Sequence, residues 1–285
     1  MVSAYRPASW QEALEIRRRV AVIPLAGGTD LMVRHRRRAG LPPDLPHPTL
    51  FIGHLPELCH ITVGEEVLTV GAGVTYSALL AHPHVPAELK QAIARIGSPA
   101  VRNVATLAGN ICNASPAGDT LPYLYCVDAQ LVLTCLDAER RISISDFIQG
   151  PGRTSLRPDE LLEAVVIPRL HFNRSSYRKV GPRRANALAK VSFLGLAAIQ
   201  GDVIADVRIA FGAVAPTVIR SREVEQLLIG RPTPELDKRP DVSAHYGRLI
   251  RPIDDQRSTA HYRRTVALKL LDDFMGACLG HTAHI

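Results

Sequence analysis

The sequence has few cysteines and few aromatic side chains, and it has no long uninterrupted apolar run. Its cysteines, at positions 59, 112, 126, 135 and 278, include no C-x-x-C pair. An odd number without that spacing argues against a disulfide framework and against an iron–sulfur cluster held by this chain. No stretch of 18 apolar residues occurs, so we expect no membrane span. The first residues also lack the apolar segment of a secretory signal, which predicts a cytoplasmic protein.

Candidate catalytic and metal-binding patterns are also missing. No nucleophile is paired with a base in a recognisable motif, and the histidines show no metal-ligand spacing. His82 and His84 flank a proline in a predicted loop, where surface histidines are common. No G-x-G-x-x-G follows a strand, which disfavours a Rossmann dehydrogenase.

The chain is long enough, at 285 residues and 46% hydrophobic, to bury the core of one large domain or two modest ones. Its formal charge is +7, and the most basic stretch is residues 34–38, which we interpret as a solvated helix end. No aromatic residues interleave with these arginines, so nucleic-acid binding is not expected. A basic surface would suit an acidic partner or a dinucleotide.

The hydrophobic pattern predicts a mixture of helices and strands, and therefore an α+β fold. A capping box at Ser9–Glu12 opens an N-terminal helix. Helices are expected near 75–81 and 87–95, and the proline-rich stretch 39–48 should be a loop. We expect strands over five apolar stretches, at 20–25, 49–52, 67–71, 130–136 and 161–167.

A domain boundary is expected at 168–176, where Pro168 ends a strand and a polar segment follows. Three further strands are predicted beyond it, at 176–180, 189–199 and 203–214. The segment 231–257 is rich in Pro, Arg and Asp and predicts an extended loop. A terminal helix should pack through residues spaced four apart, namely Tyr262, Val266, Leu270 and Phe274. Cys126 and Cys135 lie in apolar surroundings typical of inert core residues.

Two glycine-containing loops are the most informative feature. The first, residues 26–30 (Ala-Gly-Gly-Thr-Asp), follows a predicted strand and precedes a helix that begins at Leu31. The second, residues 106–119, begins Thr-Leu-Ala-Gly-Asn and ends Ala-Gly-Asp. Glycine allows backbone N–H groups to approach an anion closely. Two such loops predict a long diphosphate ligand that is held from two sides.

Together with the stretches 96–111, 179–192 and 208–217, the loops resemble the flavoprotein subunit of the molybdenum hydroxylases. That family includes xanthine dehydrogenase and carbon monoxide dehydrogenase. The resemblance implies a two-subdomain FAD-binding fold of the vanillyl-alcohol-oxidase (PCMH) type at residues 1–170, with subdomains of about 1–58 and 59–170. It also implies a C-terminal α+β domain at 171–285, with a three-stranded antiparallel sheet and a helical bundle.

The resemblance further implies an electron-transfer subunit of a molybdenum hydroxylase. Electrons would pass from [2Fe–2S] clusters on a small partner subunit to FAD here, and then to NAD or another acceptor. A large partner subunit would bind molybdopterin, in a dimer of heterotrimers. Two alternatives stay open: a self-contained FAD oxidoreductase, and an assembly scaffold without flavin.

The same resemblance assigns flavin-binding positions. The first loop would wrap the pyrophosphate, and Thr29 and Thr106 would supply hydroxyl groups. The positions assigned to the cofactor are Leu25, Ala26, Gly27, Gly28, Thr29, Asp30, Leu31, Ile96, Thr106, Gly109, Asn110, Cys112, Gly118, Asp119, Leu162 and Lys179. Without the resemblance, Ile96 and Leu162 would be ordinary core residues.

Two of these positions leave alternatives open, and a further position, Ala108, departs from the family pattern. Asp119 would accept hydrogen bonds from flavin hydroxyls, or it caps the helix that follows. Lys179 would place a positive charge near the flavin and favour its reduced anion, or it is a solvated strand residue. The family usually has Gly-Gly before Asn110, whereas this chain has Ala108. A positive φ at Ala108 would cost roughly 1–2 kcal/mol, while a negative φ would only narrow the space near the phosphate.

Overall fold

The computed structural model describes residues 4–183, 186–233, 242–277 and 279, and these form eleven α-helices and fourteen strands. The helices are α1 Trp10–Arg19, α2 Leu31–Arg34, α3 Tyr76–Ala81, α4 Ala87–Ala94, α5 Pro99–Arg102, α6 Leu107–Asn113, α7 Leu121–Cys126, α8 Ile144–Phe147, α9 Arg222–Gln226, α10 Val242–Leu249 and α11 Ala260–Ala277. The strands are β1 Ala4–Tyr5, β2 Ile23–Leu25, β3 Thr49–Phe51, β4 Ile61–Val63, β5 Val67–Gly71, β6 Gln130–Thr134, β7 Glu139–Ser143, β8 Ile148–Gly150, β9 Arg153–Thr154, β10 Leu161–Pro168, β11 Arg174–Val180, β12 Val191–Gln200, β13 Val203–Gly212 and β14 Ile219–Arg220.

The mixture confirms the predicted α+β class. The described residues divide into two compact units, each assembled from separate stretches of chain. Unit 1 takes the described residues of Met1–Pro86, Ile96–Ser115 and Asp128–Arg169. Unit 2 takes those of Ala87–Arg95, Pro116–Val127 and Leu170–Ile285.

Unit 1 contains two larger sheets. A three-stranded parallel sheet has the order β1-β3-β2, so β2, which leads into the first glycine loop, lies at an edge. A five-stranded antiparallel sheet has the order β4-β5-β10-β6-β7. Helix α6, which contains half of the residues of the second glycine loop, packs against the central strand β10. The N-terminal helix begins as predicted, since the Ser9 hydroxyl accepts a hydrogen bond from the backbone N–H of Glu12.

Unit 2 is built on an antiparallel sheet of order β11-β12-β13-β14. The three long strands match the prediction, and β14 adds a fourth of only two residues. Helix α11 covers this sheet, and the ring of Phe274 lies against Gly195 so closely that a Cβ there would fall 2.7 Å from it. Phe193 and Phe211 continue the aromatic core, with ring centroids 5.1 Å apart.

The predicted packing face of α11 is displaced by one residue. Phe274 is buried as expected, and Val266 and Leu270 are partly buried, but Tyr262 is exposed. The buried positions are instead Arg263, Ala267, Leu271, Phe274 and Met275. The cause is the ion pair of Arg263 with Asp255, at 2.6 Å, which allows a charged residue to occupy the inner face.

The prediction of an extended loop over 231–257 is wrong for its central part. Residues 242–249 form α10, whose Tyr246 is buried with its ring 5.1 Å from that of Phe211. Because the segment is rich in charged residues and proline, its composition did not predict a helix that packs through a buried tyrosine. Residues 234–241 of the same segment lie outside the described part. Cys126 is buried as predicted, whereas Cys135 is only partly buried.

Candidate functional site

The first glycine loop, Ala26 to Asp30, connects β2 to α2 and is partly accessible along most of its length. Gly28 has a φ of +67°, in the left-handed region that favours glycine. The N–H groups of residues 27–30 donate to no backbone or side-chain acceptor among the residues that the structure describes. A loop with several unused N–H groups can hold an oxyanion, because those donors need no further rearrangement to meet its oxygens.

Gly27 also has a packing role that the sequence did not suggest. A Cβ at this position would overlap the backbone carbonyl of Val104 and come within 2.9 Å of the Cα of Ala105. The backbone that leads into the second glycine loop therefore lies directly on the first one. The two loops, 80 residues apart in the sequence, meet inside unit 1.

The second loop begins with Thr106, which is the N-cap of α6. Its Oγ1 accepts a hydrogen bond of 3.0 Å from the N–H of Gly109, so the hydroxyl hydrogen stays available to another acceptor. Gly109 lies on the exposed side of α6, where a Cβ would meet only Thr106 Oγ1 within 4 Å. Gly109 therefore leaves open space beside the helix.

The structure shows whether Ala108, which stands where the family usually has glycine, has a positive φ. It lies inside α6, it is not among the residues with positive φ, and it is 6% exposed. Its methyl group packs into the interior. The alanine therefore causes no backbone strain, and its departure from the family pattern gives no support to the alternative of a scaffold without flavin.

A polar network joins the two loops a second time. The side-chain amide of Asn113, at the end of α6, donates to Asp30 at 3.1 Å, and its oxygen accepts from Arg34 at 2.6 Å. Asn113 lies within the second loop, and apart from that position nothing in the sequence predicted these hydrogen bonds. The network fixes the start of α2 relative to α6.

The remaining assigned positions of unit 1 differ in exposure. Cys112 is exposed on α6, and Asn110, two residues earlier, is partly buried. Leu162 is a buried residue of β10, and Ile96 is half-buried with its carbonyl accepting from Arg102 at 2.8 Å. Leu25 and Leu31, at the two ends of the first loop, are half-buried.

Gly118, Asp119 and Lys179 belong to unit 2. Lys179, on β11, places its ammonium group 2.6 Å from Asp119 Oδ2 and 2.9 Å from the carbonyl oxygen of Arg95. Both side chains are buried, at 8% and 9% exposure. One cation therefore joins all three stretches of chain that compose unit 2. Neither the carbonyl of Arg95 nor this pairing was predicted, because no local pattern connects positions 60 or more apart.

This geometry excludes two of the open alternatives. Lys179 is not a solvated strand residue. Asp119 is not the cap of α7, since the N-cap residue is Thr120, whose own side chain makes no capping hydrogen bond. Burial raises the pKa of Asp119 to about 6, and the attraction of Lys179 opposes that shift. The second carboxylate oxygen, Oδ1, is buried and has no hydrogen-bond partner among the described residues.

The residues present fit a dinucleotide cofactor such as FAD. In unit 1, the first loop offers unused N–H donors and Gly109 leaves open space. Unit 2 by itself contains Asp119 Oδ1, a buried acceptor without a donor among the described residues. Within the described ranges, no group of three or more His, Cys, Asp or Glu residues is placed to hold a metal ion. No helix in the same ranges is long and apolar enough to cross a membrane.

The basic stretch 34–38 is not a helix end as a whole, which corrects the interpretation from sequence. Helix α2 ends at Arg34, so residues 35–38 lie beyond it.

Comparison with known families assigns both parts of the chain. Residues 1–170 match the family model "FAD binding domain in molybdopterin dehydrogenase". Residues 176–278 match "CO dehydrogenase flavoprotein C-terminal domain".

Individual relatives agree over nearly the full length. The glyceraldehyde dehydrogenase medium chain of Sulfolobus acidocaldarius is 31% identical, over 93% of each chain. The xanthine dehydrogenase FAD-binding subunit of Escherichia coli O157:H7 is 29% identical, over 90% of this chain and 89% of the relative. Among solved structures, reconstituted CO dehydrogenase from Oligotropha carboxidovorans contains a chain with 25% identity and a TM-score of 0.85, over 95% of each chain.

Proposed function

Because this chain belongs to the family of FAD-binding subunits of molybdopterin dehydrogenases, and is an oxidoreductase subunit of the xanthine dehydrogenase type, we propose that it is an electron-transfer subunit. The chain would hold FAD, whose redox chemistry would connect [2Fe–2S] clusters on a small partner subunit to NAD or another acceptor. Substrate oxidation would take place at molybdopterin on a large partner subunit.

The packing of the two glycine loops is the observation that carries this proposal. Gly27 lies on the backbone of Val104, and the N–H groups of residues 27–30 donate to no acceptor among the described residues. These N–H groups and the Thr29 hydroxyl would hold the pyrophosphate, with Gly109 and the Thr106 hydroxyl on the opposite side. Such contacts bind an anion without a bulky side chain in the way.

The other assigned residues would orient the rest of the cofactor. Asp119 Oδ1 would accept a hydrogen bond from a hydroxyl group, which would satisfy an otherwise unpaired buried acceptor. Lys179 would hold that carboxylate in place through Oδ2. Ile96 and Leu162 would exclude water from the apolar ring system.

The organisation of the chain follows the same proposal. We assign residues 1–170 to the FAD-binding domain, with subdomains of about 1–58 and 59–170, and residues 171–285 to the C-terminal domain. The complete enzyme would be a cytoplasmic dimer of heterotrimers. The "medium chain" in the name of the Sulfolobus relative supports an assembly of several chains.

Reconstitution tests this function. The chain, loaded with FAD and mixed with its cluster-bearing and molybdenum-bearing partners, should lose its flavin absorbance when substrate is added in a stopped-flow instrument. The FAD-loaded chain alone should reduce dyes slowly with NADH and should hydroxylate no purine, aldehyde or heterocycle. Bleaching by an organic substrate in the chain alone, with metal and cluster shown to be absent, would identify a self-contained flavoenzyme instead.

A further inference from the structure

A compact basic and apolar surface adjoins the first glycine loop. We define the arginine loop as residues 32–44, which contain four arginines and one aspartate. It follows directly from the candidate cofactor loop, since the N–H of Met32 donates to the carbonyl of Gly28 at 2.9 Å. A molecule that binds here therefore lies beside the loop that would hold FAD.

The arginine loop is held in a defined shape. The N–H of Asp44 donates to the carbonyl of His35 at 2.9 Å, and the His35 ring lies 2.8 Å from the carbonyl of Asp44. Arg37 forms an ion pair with the Asp44 carboxylate, and Arg34 is bonded to Asn113. A surface that is already ordered loses little conformational entropy when a partner binds.

Two of the arginines are left without a partner in this arrangement. The guanidinium groups of Arg36 and Arg38 are exposed and make no hydrogen bond or ion pair with any residue the structure describes. The loop contributes only Asp44 as a counter-charge, and Arg37 already pairs with it. Positive charges so close together repel one another, and carboxylates from another molecule would relieve that repulsion.

Apolar side chains accompany these charges. Met32, Val33 and Leu41 are 42%, 72% and 56% exposed. Exposed methionine and arginine together with aliphatic contacts are typical of protein–protein interfaces. Helix α2, with four residues, is too short to lie on a membrane as an amphipathic helix does.

We propose that the arginine loop docks the electron-donating [2Fe–2S] subunit, through a partner face that carries carboxylates around an apolar contact. This inference rests on the proposed function. The donor must come close to the cofactor, and the arginine loop adjoins the cofactor loop, whereas the molybdenum-bearing chain has no such requirement.

The test is a binding measurement between the FAD-loaded chain and its co-expressed, purified [2Fe–2S] subunit at several salt concentrations. The double variant R36E/R38E should weaken binding at least tenfold at low salt and flatten the salt dependence, with flavin content and Tm unchanged. Leu41→Asp should weaken binding at high salt as well. The matched control is R6E/R141E, which reverses two exposed arginines of unit 1 outside the arginine loop and should bind as the unmodified chain does.

Each contrary outcome has a distinct meaning. Unchanged affinity of R36E/R38E for the [2Fe–2S] subunit would overturn the inference. A loss confined to the molybdenum-bearing chain, or to vesicles of anionic lipid, would overturn it in favour of that occupant. An unmodified chain that holds FAD but does not bind the [2Fe–2S] subunit at all would contradict the proposed function itself.

Discussion

Lys179 lies 2.6 Å from Asp119, and this buried pair connects strand β11 to a stretch of chain 60 residues earlier. The same ammonium group bonds the carbonyl of Arg95, so it contacts each of the three stretches of unit 2. The family resemblance implied that Lys179 would bring a positive charge near the flavin and favour its reduced anion. The structure shows that Asp119 compensates that charge, and this changes what a substitution should do.

We expect Lys179→Met to lower the free energy of unfolding by about 3–5 kcal/mol at pH 8, because it leaves a buried carboxylate without its partner. The double variant K179M/D119N should recover part of this loss, since it removes the unpaired charge as well. Urea unfolding of the unmodified chain, both single variants and the double variant gives the coupling between the two side chains. A double variant no more stable than Lys179→Met would show that the two side chains are not coupled.

The pH dependence of stability should carry the signature of Asp119. Its pKa is raised to about 6 from an ordinary value of 3.8, so the folded chain keeps a proton that the unfolded chain releases between these values. The contribution of Asp119 to stability is therefore present below pH 4 and declines as the pH rises to 6. The difference in unfolding free energy between the unmodified chain and Asp119→Asn should fall by on the order of 2–3 kcal/mol across this window.

The difference between these two proteins removes the contributions of the other carboxyl groups to the unfolding free energy. Several of these groups have lowered pKa values, so their contributions increase as the pH rises. Glu160, paired with Arg140, is one of them. Urea unfolding at half-unit steps from pH 4 to pH 7 is sufficient. A difference that stays constant across the window would contradict the raised pKa of Asp119.

Gly27→Ala should disturb the contact between the two glycine loops. The added methyl group would overlap the Val104 carbonyl, and a backbone atom cannot rotate away. We expect a loss of about 1–3 kcal/mol in stability, together with weaker FAD binding. Gly276→Ala is the control, because its Cβ would meet nothing within 4 Å on a helix, and it should be neutral or slightly stabilising. Equal stability of the two variants would refute the close approach of the loops.

The sequence predicted the fold where local patterns decide the structure. Strands β5, β10 and β12 and helix α3 lie within two residues of their predicted bounds, because most of their residues are apolar. The first glycine loop was also located correctly, whereas half of the predicted second loop is helix α6. The composition of the loops, however, did not reveal that Gly27 is required for packing against Val104 as well as for access to a ligand.

Long-range polar contacts account for what the sequence could not predict. Arg263 occupies the inner face of α11 only because Asp255 neutralises it, and hydrophobic periodicity excludes such a residue. Tyr246 anchors α10 within a segment whose composition is typical of a loop. The Lys179–Asp119 pair and the Asn113 network join positions far apart in the chain, and no single-sequence pattern encodes such contacts.

We expect the paired glycine loops to hold one FAD. Gly109→Val tests this expectation most directly, because Gly109 lies on the exposed side of α6 and its replacement meets only Thr106 Oγ1, so the fold should survive. The measurement is a titration of the flavin-free chain with FAD, together with thermal unfolding. We expect one FAD per unmodified chain. For Gly109→Val we expect at least hundredfold weaker binding at a nearly unchanged Tm, which corresponds to a loss of on the order of 3 kcal/mol in binding free energy. Full affinity in Gly109→Val, or no FAD binding by the unmodified chain, would contradict this expectation.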